Sequence, residues 1–267
     1  MEQLLIILTL YLVLGVGAGF ISGLLGAGGG LVVVPGLMFL FQYESTMDMH
    51  IAMHIAVGTS LATMIPVAAR SLTSHMKHNI PFLPIYKMMA PSLIVGVIGG
   101  SILAHFMHSR ALEIIFGVFV FVMAISLLIK RKAQEQENLP GMLGMSLAGG
   151  FVGLQSGLLG VAGSAFSVPF LTHRGVNMHV AVVVSIAIAM TVSVLGTILF
   201  ILTGLHAVGV PRYSLGYVYL PAWLGLAIGG VFIAPLGAKI SHLVSARKLK
   251  ISFALFLFVV SAKMLWP

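Results

Sequence analysis

Hydrophobic residues in this chain form ten runs that are separated by short polar or glycine-rich segments. A helix crosses the hydrocarbon core of a bilayer in roughly 20 residues, and most of the runs match that length. Two of them, 31–41 and 165–172, are too short to cross as helices. The pattern predicts an all-α polytopic membrane protein. The runs lie at about 4–22, 31–41, 51–69, 82–104, 112–129, 142–160, 165–172, 178–204, 214–236 and 250–265.

Composition supports this fold class and excludes several functions. Of the 267 residues, 59% are hydrophobic and 7% are charged, whereas soluble domains carry about 25% charged residues. The net charge of +8 comes from basic residues in short loops, without the basic patch and interleaved aromatics of a nucleic-acid interface. We therefore expect lipid, and no nucleic acid, around this protein.

The two halves of the chain resemble each other. Residues 22–35 (SGLLGAGGGLVVVP) and 156–169 (SGLLGVAGSAFSVP) are identical at eight of fourteen positions. Further matches follow in the same order along both halves. The sequence thus predicts a first transmembrane repeat at 1–130, a linker at 131–140 and a second repeat at 141–267.

The distribution of Lys and Arg predicts that the repeats are inverted. Basic residues favour the cytoplasmic side of a membrane, so the charged loop 130–140 is assigned to the cytoplasm. Counting the runs from there places eleven basic residues inside and three outside. The loop at 42–50 is then outside, while its counterpart at 173–177 is inside. This topology gives each repeat a Gly-broken helix hairpin followed by three transmembrane helices, with both termini outside.

The glycine-rich breaks are the candidate substrate site. Transporters with inverted repeats bind substrate near the midplane, at matching interrupted helices of the two halves. The start of a short helix leaves peptide N–H groups free, and these attract anions. Glycines that only allow close helix packing are the alternative. The candidate residues are Ser22, Gly26, Gly28, Gly29 and Gly30 at the first break, Gln155, Ser156, Gly160, Gly163 and Ser164 at the second, and Ser60 and Ser185 on the helices that follow.

Ionisable residues lie in the apolar runs only near their ends, which argues against a coupling mechanism carried by a buried carboxylate. Histidine is then the candidate proton carrier, and His54 and His179 begin matched runs. An interfacial histidine without a role is the alternative. His50 and His54 also have HxxxH spacing, but the glutamate of the metalloprotease motif is absent. We expect no metal and no cofactor.

The motifs GFISGLLGAGGGLVVVP and GLQSGLLGVAGSAFSVP, each followed by a helix rich in Ala, Val and Ser, resemble those of the TauE/SafE sulfite-exporter family. The resemblance covers essentially the whole chain. It implies an inner-membrane, multi-pass permease for anions such as sulfite, thiosulfate or organosulfonates. The second motif departs from the first at Ala162 and Ser164, which replace Gly28 and Gly30. The family glycines fall on Gly23, Gly26, Gly28, Gly29 and Gly30, and on Gly157, Gly160 and Gly163.

Together these observations predict a secondary transporter for a small sulfur-containing anion, without catalytic residues. The alternatives are a passive anion channel of the same fold and, less favoured by the residues, a membrane-embedded metalloenzyme. The sequence carries no signal for an oligomeric state.

Overall fold

The computed structural model describes residues 2–25, 29–44, 47–76, 81–129, 139–241 and 246–266. Within these residues the chain forms ten helices and one short antiparallel hairpin, so the all-α expectation is confirmed. The elements are α1 Glu2–Leu25, α2 Gly30–Phe41, α3 Ala52–Met76, α4 Leu83–Phe106, α5 Ser109–Leu128, α6 Met142–Leu159, α7 Ser164–His173, α8 Met178–Gly204, β1 Ser214–Leu215, β2 Val218–Tyr219, α9 Leu220–Ser241 and α10 Ala246–Leu265.

Helix lengths separate the membrane-spanning elements from the interrupted ones. In the described residues, α1, α3, α4, α5, α6 and α8 are long and apolar enough to cross a bilayer. The apolar parts of α9 and α10 are shorter, at Leu220–Leu236 and Ile251–Leu265. As expected from the two short runs, α2 has 12 residues and α7 has 10.

The apolar run at 214–236 does not begin as a helix, contrary to expectation. Its first residues form the hairpin, in which Ser214 pairs with Tyr219 and Leu215 with Val218. Gly216 takes a φ of +56°, which suits glycine in the turn. Helix α9 starts only at Leu220, because the hairpin buries its apolar side chains against α3 and α8 rather than in lipid.

Helices α3 and α8 form the centre of the molecule. Most of the apolar stretch of α3 is buried, far more than that of α1, α4 or α5. The other helices present large apolar side chains outward, such as Val95, Phe232 and Val259, each about 70% exposed. An apolar exterior of this kind suits lipid as the surrounding solvent.

Glycines bring α1 and α9 into backbone contact. Gly15 lies against the main chain of Leu226, and Gly19 lies against Gly230. Since residue numbers rise together along the contact, the two helices run parallel. A Cβ atom at Gly15 or Gly19 would fall below 3.0 Å from the neighbouring backbone, so these small residues allow the close approach.

The pair α4 and α6 repeats this arrangement, with α6 matching α1 and α4 matching α9 in the repeated sequence. Gly153 lies against Leu93, and Gly157 lies against Val97. The numbers again rise together, so α4 and α6 also run parallel.

Two further helix pairs run antiparallel. Gly58 on α3 lies against Phe200 on α8, whereas Gly196 on α8 lies against Leu61 on α3. In the same way, Arg110 at the start of α5 donates to the main-chain oxygen of Leu265 at the end of α10, at 3.1 Å. Each of these pairs joins the corresponding helices of the two halves.

Candidate functional site

The first glycine break packs directly against the second. Gly29 precedes α2 with an ordinary φ of −65°. Gly30, the first residue of α2, lies against the carbonyl oxygen of Gly160 and the α-carbon of Val161. The two candidate segments, far apart in the chain, therefore meet at one place. The predicted site residues Gly26 and Gly28 lie outside the described residues.

The second break is a tight, fully buried turn between α6 and α7. Gly160 and Gly163 both have positive φ values, +69° and +70°, which L side chains rarely adopt. The Gly163 N–H donates to the Val161 carbonyl and the Ser164 N–H to the Ala162 carbonyl, both at 2.8 Å. The backbone thus reverses within four residues and starts α7 in the interior of the protein.

Three buried polar side chains next to this turn have no partner. Gln155 is 4% exposed, Ser156 is fully buried and Ser164 is 5% exposed. The amide atoms of Gln155 and the two hydroxyls make no hydrogen bond within the described part of the chain. An unsatisfied buried polar group costs about 1–3 kcal/mol. The end of α6 and the start of α7 therefore carry unpartnered amide and hydroxyl groups, whose N–H and O–H can donate to an anionic ligand.

Both predicted serines of the following helices lie at the breaks, but in different roles. The Ser60 hydroxyl of α3 donates to the Gly160 carbonyl of the opposite half at 2.9 Å. Ser185 of α8 receives a hydrogen bond from Ser167 of α7 at 2.8 Å and donates to the Ala181 carbonyl. Ser60 thus ties the two halves together, whereas Ser185 secures α7 within its own half.

A small cavity lies beside the first break. Its volume is about 20 Å³, which holds a single water molecule and not a polyatomic anion. The predicted residue Ser22 lines it and is part-buried. In this state the cavity beside the first break is closed to a polyatomic anion. The wall residues are Gly15, Ala18, Gly19, Ser22, Gly29, Val33, Thr63, Met64, Val67, Leu226 and Gly230.

The two candidate histidines have different surroundings. His54 is 4% exposed, its Nε2 lies 2.9 Å from the Ala104 carbonyl oxygen, and its Nδ1 has no partner in the described structure. His179 is exposed at the start of α8, where its backbone N–H donates to Asn177. His50 is also exposed, so His50 and His54 do not share one environment.

Sequence reasoning missed a second polar cluster, formed by Tyr11, Glu44 and Tyr219. The Tyr11 hydroxyl donates to one Glu44 carboxylate oxygen at 2.6 Å and the Tyr219 hydroxyl donates to the other at 2.7 Å. Burial, and then the hydrogen bond to the Glu44 carboxylate, raise the pKa of the Tyr219 phenol. The phenol therefore keeps its proton at neutral pH. No local pattern predicts the cluster, because α1, a loop and a strand each supply one residue.

Ser167 was missed as well, although a signal for it exists. It lies four residues after Gly163, and a serine one turn into a helix commonly bonds back to the preceding turn. Its hydroxyl lies 3.0 Å from the Gly163 carbonyl oxygen.

Comparison with known proteins identifies the family. The family model described as sulfite exporter TauE/SafE matches residues 11–264. The chain belongs to this family. A probable membrane transporter protein of Haemophilus influenzae is 33% identical over 258 residues, covering 96% of this chain and 97% of the relative.

More distant relatives of the TauE/SafE protein share its length. Probable membrane transporter proteins of Methanocaldococcus jannaschii and Bacillus subtilis are 28% and 24% identical, and cover 98% and 97% of this chain and 97% of each relative. No solved structure gives a significant match. The protein is thus a multi-pass membrane protein of a transporter family, and not of an enzyme family.

Alanine at Gly163 should destabilise the protein much more than alanine at Gly29. Gly163 needs a positive φ, which costs a residue with a Cβ roughly 1–2 kcal/mol, and the added carbon would press on the Val152 side chain. A Cβ at Gly29 meets nothing closer than Val33, at 3.8 Å. Thermal melting of the two purified variants in detergent measures the difference. Equal melting temperatures would contradict the strained turn.

Proposed function

We propose that this TauE/SafE protein is a secondary transporter of the cell inner membrane for small sulfur-containing anions such as sulfite, thiosulfate or organosulfonates. The substrate binds near the midplane, where the N-termini of α2 and α7 meet. The observation that carries this proposal is the set of unpartnered buried donors at Gln155, Ser156 and Ser164. Both break segments, 22–35 and 156–169, lack charged residues.

Neutral donors suit a transporter's need to release its cargo. Hydrogen bonds to a charged partner contribute about 1.5–3 kcal/mol each, so a few of them hold an anion without trapping it. A buried Lys or Arg would bind more tightly, and a buried carboxylate would repel the anion.

Relative helix directions support inverted repeats with boundaries at 1–130 and 141–267. The matched sequence segments make α3 equivalent to α8 and α5 equivalent to α10. Both pairs run antiparallel, as expected for two halves of opposite orientation. Equivalent packing of α1 on α9 and of α6 on α4 gives the same relation. Alternating access then corresponds to one repeat rocking against the other.

The closed state supports a carrier rather than a passive channel. The cavity beside the first break is about 20 Å³, so a polyatomic anion enters it only if the walls separate. A carrier requires such a conformational step in each cycle.

His54 is the better placed of the two histidines for proton coupling, because it is buried and has a free ring nitrogen, whereas His179 is exposed. A proton carried by the substrate itself is the alternative.

Replacement of the unpartnered donors should weaken transport without weakening the fold. Gln155→Leu removes a buried amide that has no protein partner, so the free energy of unfolding should stay the same or rise. The KM for sulfite or thiosulfate flux into proteoliposomes should rise about tenfold, because one hydrogen bond to the anion is lost. Ser164→Ala should act in the same direction.

Ser261→Ala is the matched control, because Ser261 is an equally buried serine on α10, bonded to the Gly117 carbonyl. It should reduce stability and leave the KM for the anion unchanged. A Gln155→Leu variant that melts earlier and retains its KM would overturn the site.

Counterflow separates the carrier from the channel. Proteoliposomes loaded with unlabelled thiosulfate should transiently accumulate labelled thiosulfate above its equilibrium level, because a carrier exchanges solutes through one site. A channel dissipates the gradient without such an overshoot. Absence of the overshoot at saturating flux would favour the channel.

The proposed topology places both chain termini outside and the charged loop 130–140 in the cytoplasm. A protease-accessible tag at either terminus should be cleaved from outside in intact cells, and a tag inserted in the loop should be cleaved only after lysis. Protection of one terminus in intact cells would contradict the count of crossings, though not the inversion.

A further inference from the structure

The Tyr11, Glu44 and Tyr219 cluster lies directly above the small cavity on one side of the breaks. On α1, Tyr11 lies one turn before the wall residue Gly15. On α3, Thr59 lies one turn before the wall residue Thr63, and it accepts the backbone N–H of Tyr219 at 3.0 Å. A turn of helix rises about 5.4 Å. The cluster therefore covers the end of the space enclosed by α1, α3 and α9.

The cluster joins three separate parts of the chain through a single carboxylate. Tyr11 is 1% exposed and Tyr219 is 6% exposed, and their rings meet edge to face at 6.1 Å between centroids. Glu44, in the loop between α2 and α3, is part-buried and forms no salt bridge within the described residues. Its charge is balanced only by two phenol hydrogen bonds, so it presents a fixed negative charge on this side of the cavity.

The positions that the repeat matches to Tyr11 and Tyr219 carry no polar side chain. The repeat places Met145 of α6 where Tyr11 lies on α1, and Met89 of α4 where Tyr219 lies before α9. Both methionines are fully buried. The equivalent positions on α6 and α4 are therefore apolar and carry no group that can take up a proton.

We propose that Glu44 is a proton-binding site, and that its protonation opens this end of the transport pathway. The proposal rests on the proposed function in taking the cavity to lie on the path of the anion. As a carboxylate, Glu44 accepts from both phenols and repels an approaching anion. A proton taken from water on this side converts one carboxylate oxygen into an O–H donor, so that oxygen no longer accepts from its tyrosine in the same geometry.

Protonation thus removes the repulsion and weakens the link between the two halves in one step. By linkage, opening the cluster favours proton uptake as much as proton uptake favours opening. An anion would then cross this end together with a proton bound at Glu44.

Other ionisable groups near this end must be separated from Glu44 by experiment. Only the two tyrosines contact its carboxylate in the part of the chain that the structure describes. Other ionisable groups at this end include Asp48 and His50 in the same loop, His54 and His105 around the Tyr217 ring, and Lys263 over the Phe39 ring. The Arg110–Glu113 pair at the end of α10 and His206 and Arg212, in the loop whose Gly209 lies against Asp48, belong to the same end.

Cysteine labelling tests the proposal, because the chain has no native cysteine. Thr63→Cys places one thiol in the cavity wall, and a membrane-impermeant maleimide is added outside intact cells, on the side assigned to Glu44. Lowering the external pH should speed labelling. Adding Glu44→Gln, which mimics the protonated carboxyl, should raise the rate at neutral pH at least about tenfold and abolish its pH dependence. Tyr219→Phe should also raise the rate while keeping the ring.

Glu113→Gln is the matched control, because Glu113 is a carboxylate whose partner is Arg110, at 2.9 Å. It should leave the labelling rate and its pH dependence unchanged. The proposal is overturned if Glu44→Gln labels at the parent rate, if its pH dependence persists, or if His54→Asn abolishes that dependence while Glu44→Gln does not. If Glu44→Gln fails to insert, Tyr219→Phe and Tyr11→Phe decide by the same readout.

The labelling requires no substrate, so it separates this proposal from the proposed function. Fast labelling of the Glu44→Gln variant without any anion flux would remove the sulfur-anion assignment and retain the proton site. Normal flux with unchanged labelling would do the reverse.

Discussion

Backbone that leaves a helix inside an apolar protein must find its hydrogen-bond partners in the protein itself, and this constraint organises the whole structure. The helices are interrupted at two glycine-rich segments, and these two segments pack against each other. Gly30 fits against Gly160 and Val161, and Ser60 caps the freed Gly160 carbonyl. At the second break, the Gly163 and Ser164 N–H groups donate to carbonyls within the tight turn itself.

This solution determines which helices lie at the centre. Because the breaks must be surrounded by protein, α3 and α8 pass beside them, and α3 is the most shielded of the long apolar helices in the described residues. The outer helices are held by backbone contacts at glycines on α1 with α9 and on α4 with α6. Close packing of small residues supplies the association that hydrophobic burial cannot supply in lipid.

Buried polar side chains are subject to the same need for hydrogen-bond partners. Some buried serines and threonines bond to a carbonyl one turn back, as Thr63 and Ser185 do. Others have no partner in the described residues, among them Ser101, Ser193 and Thr197, and three of these groups, Gln155, Ser156 and Ser164, cluster at one break. The charge of Glu44 is supported by phenols and not by a cation.

Sequence alone determined the fold class, the two short helices and the location of both breaks, because apolar length and glycine repetition are local properties. It also predicted that Ser22, Ser60, Ser156 and Ser164 lie near the breaks. It failed at the hairpin before α9, where six apolar and turn residues continue the hydrophobic run without being helical. Run length does not distinguish burial in protein from burial in lipid.

Only the tertiary structure decided which equivalent residues have equivalent surroundings. His54 and His179 match in sequence, yet one is buried and the other exposed. Gly29 and Gly163 also match, yet only Gly163 needs a positive φ. The contact of the two breaks and the joining of Tyr11, Glu44 and Tyr219 depend on segments up to 208 residues apart in the chain. The physical reason is that hydrophobic patterning fixes the elements, whereas partners for individual polar groups arise only when those elements pack.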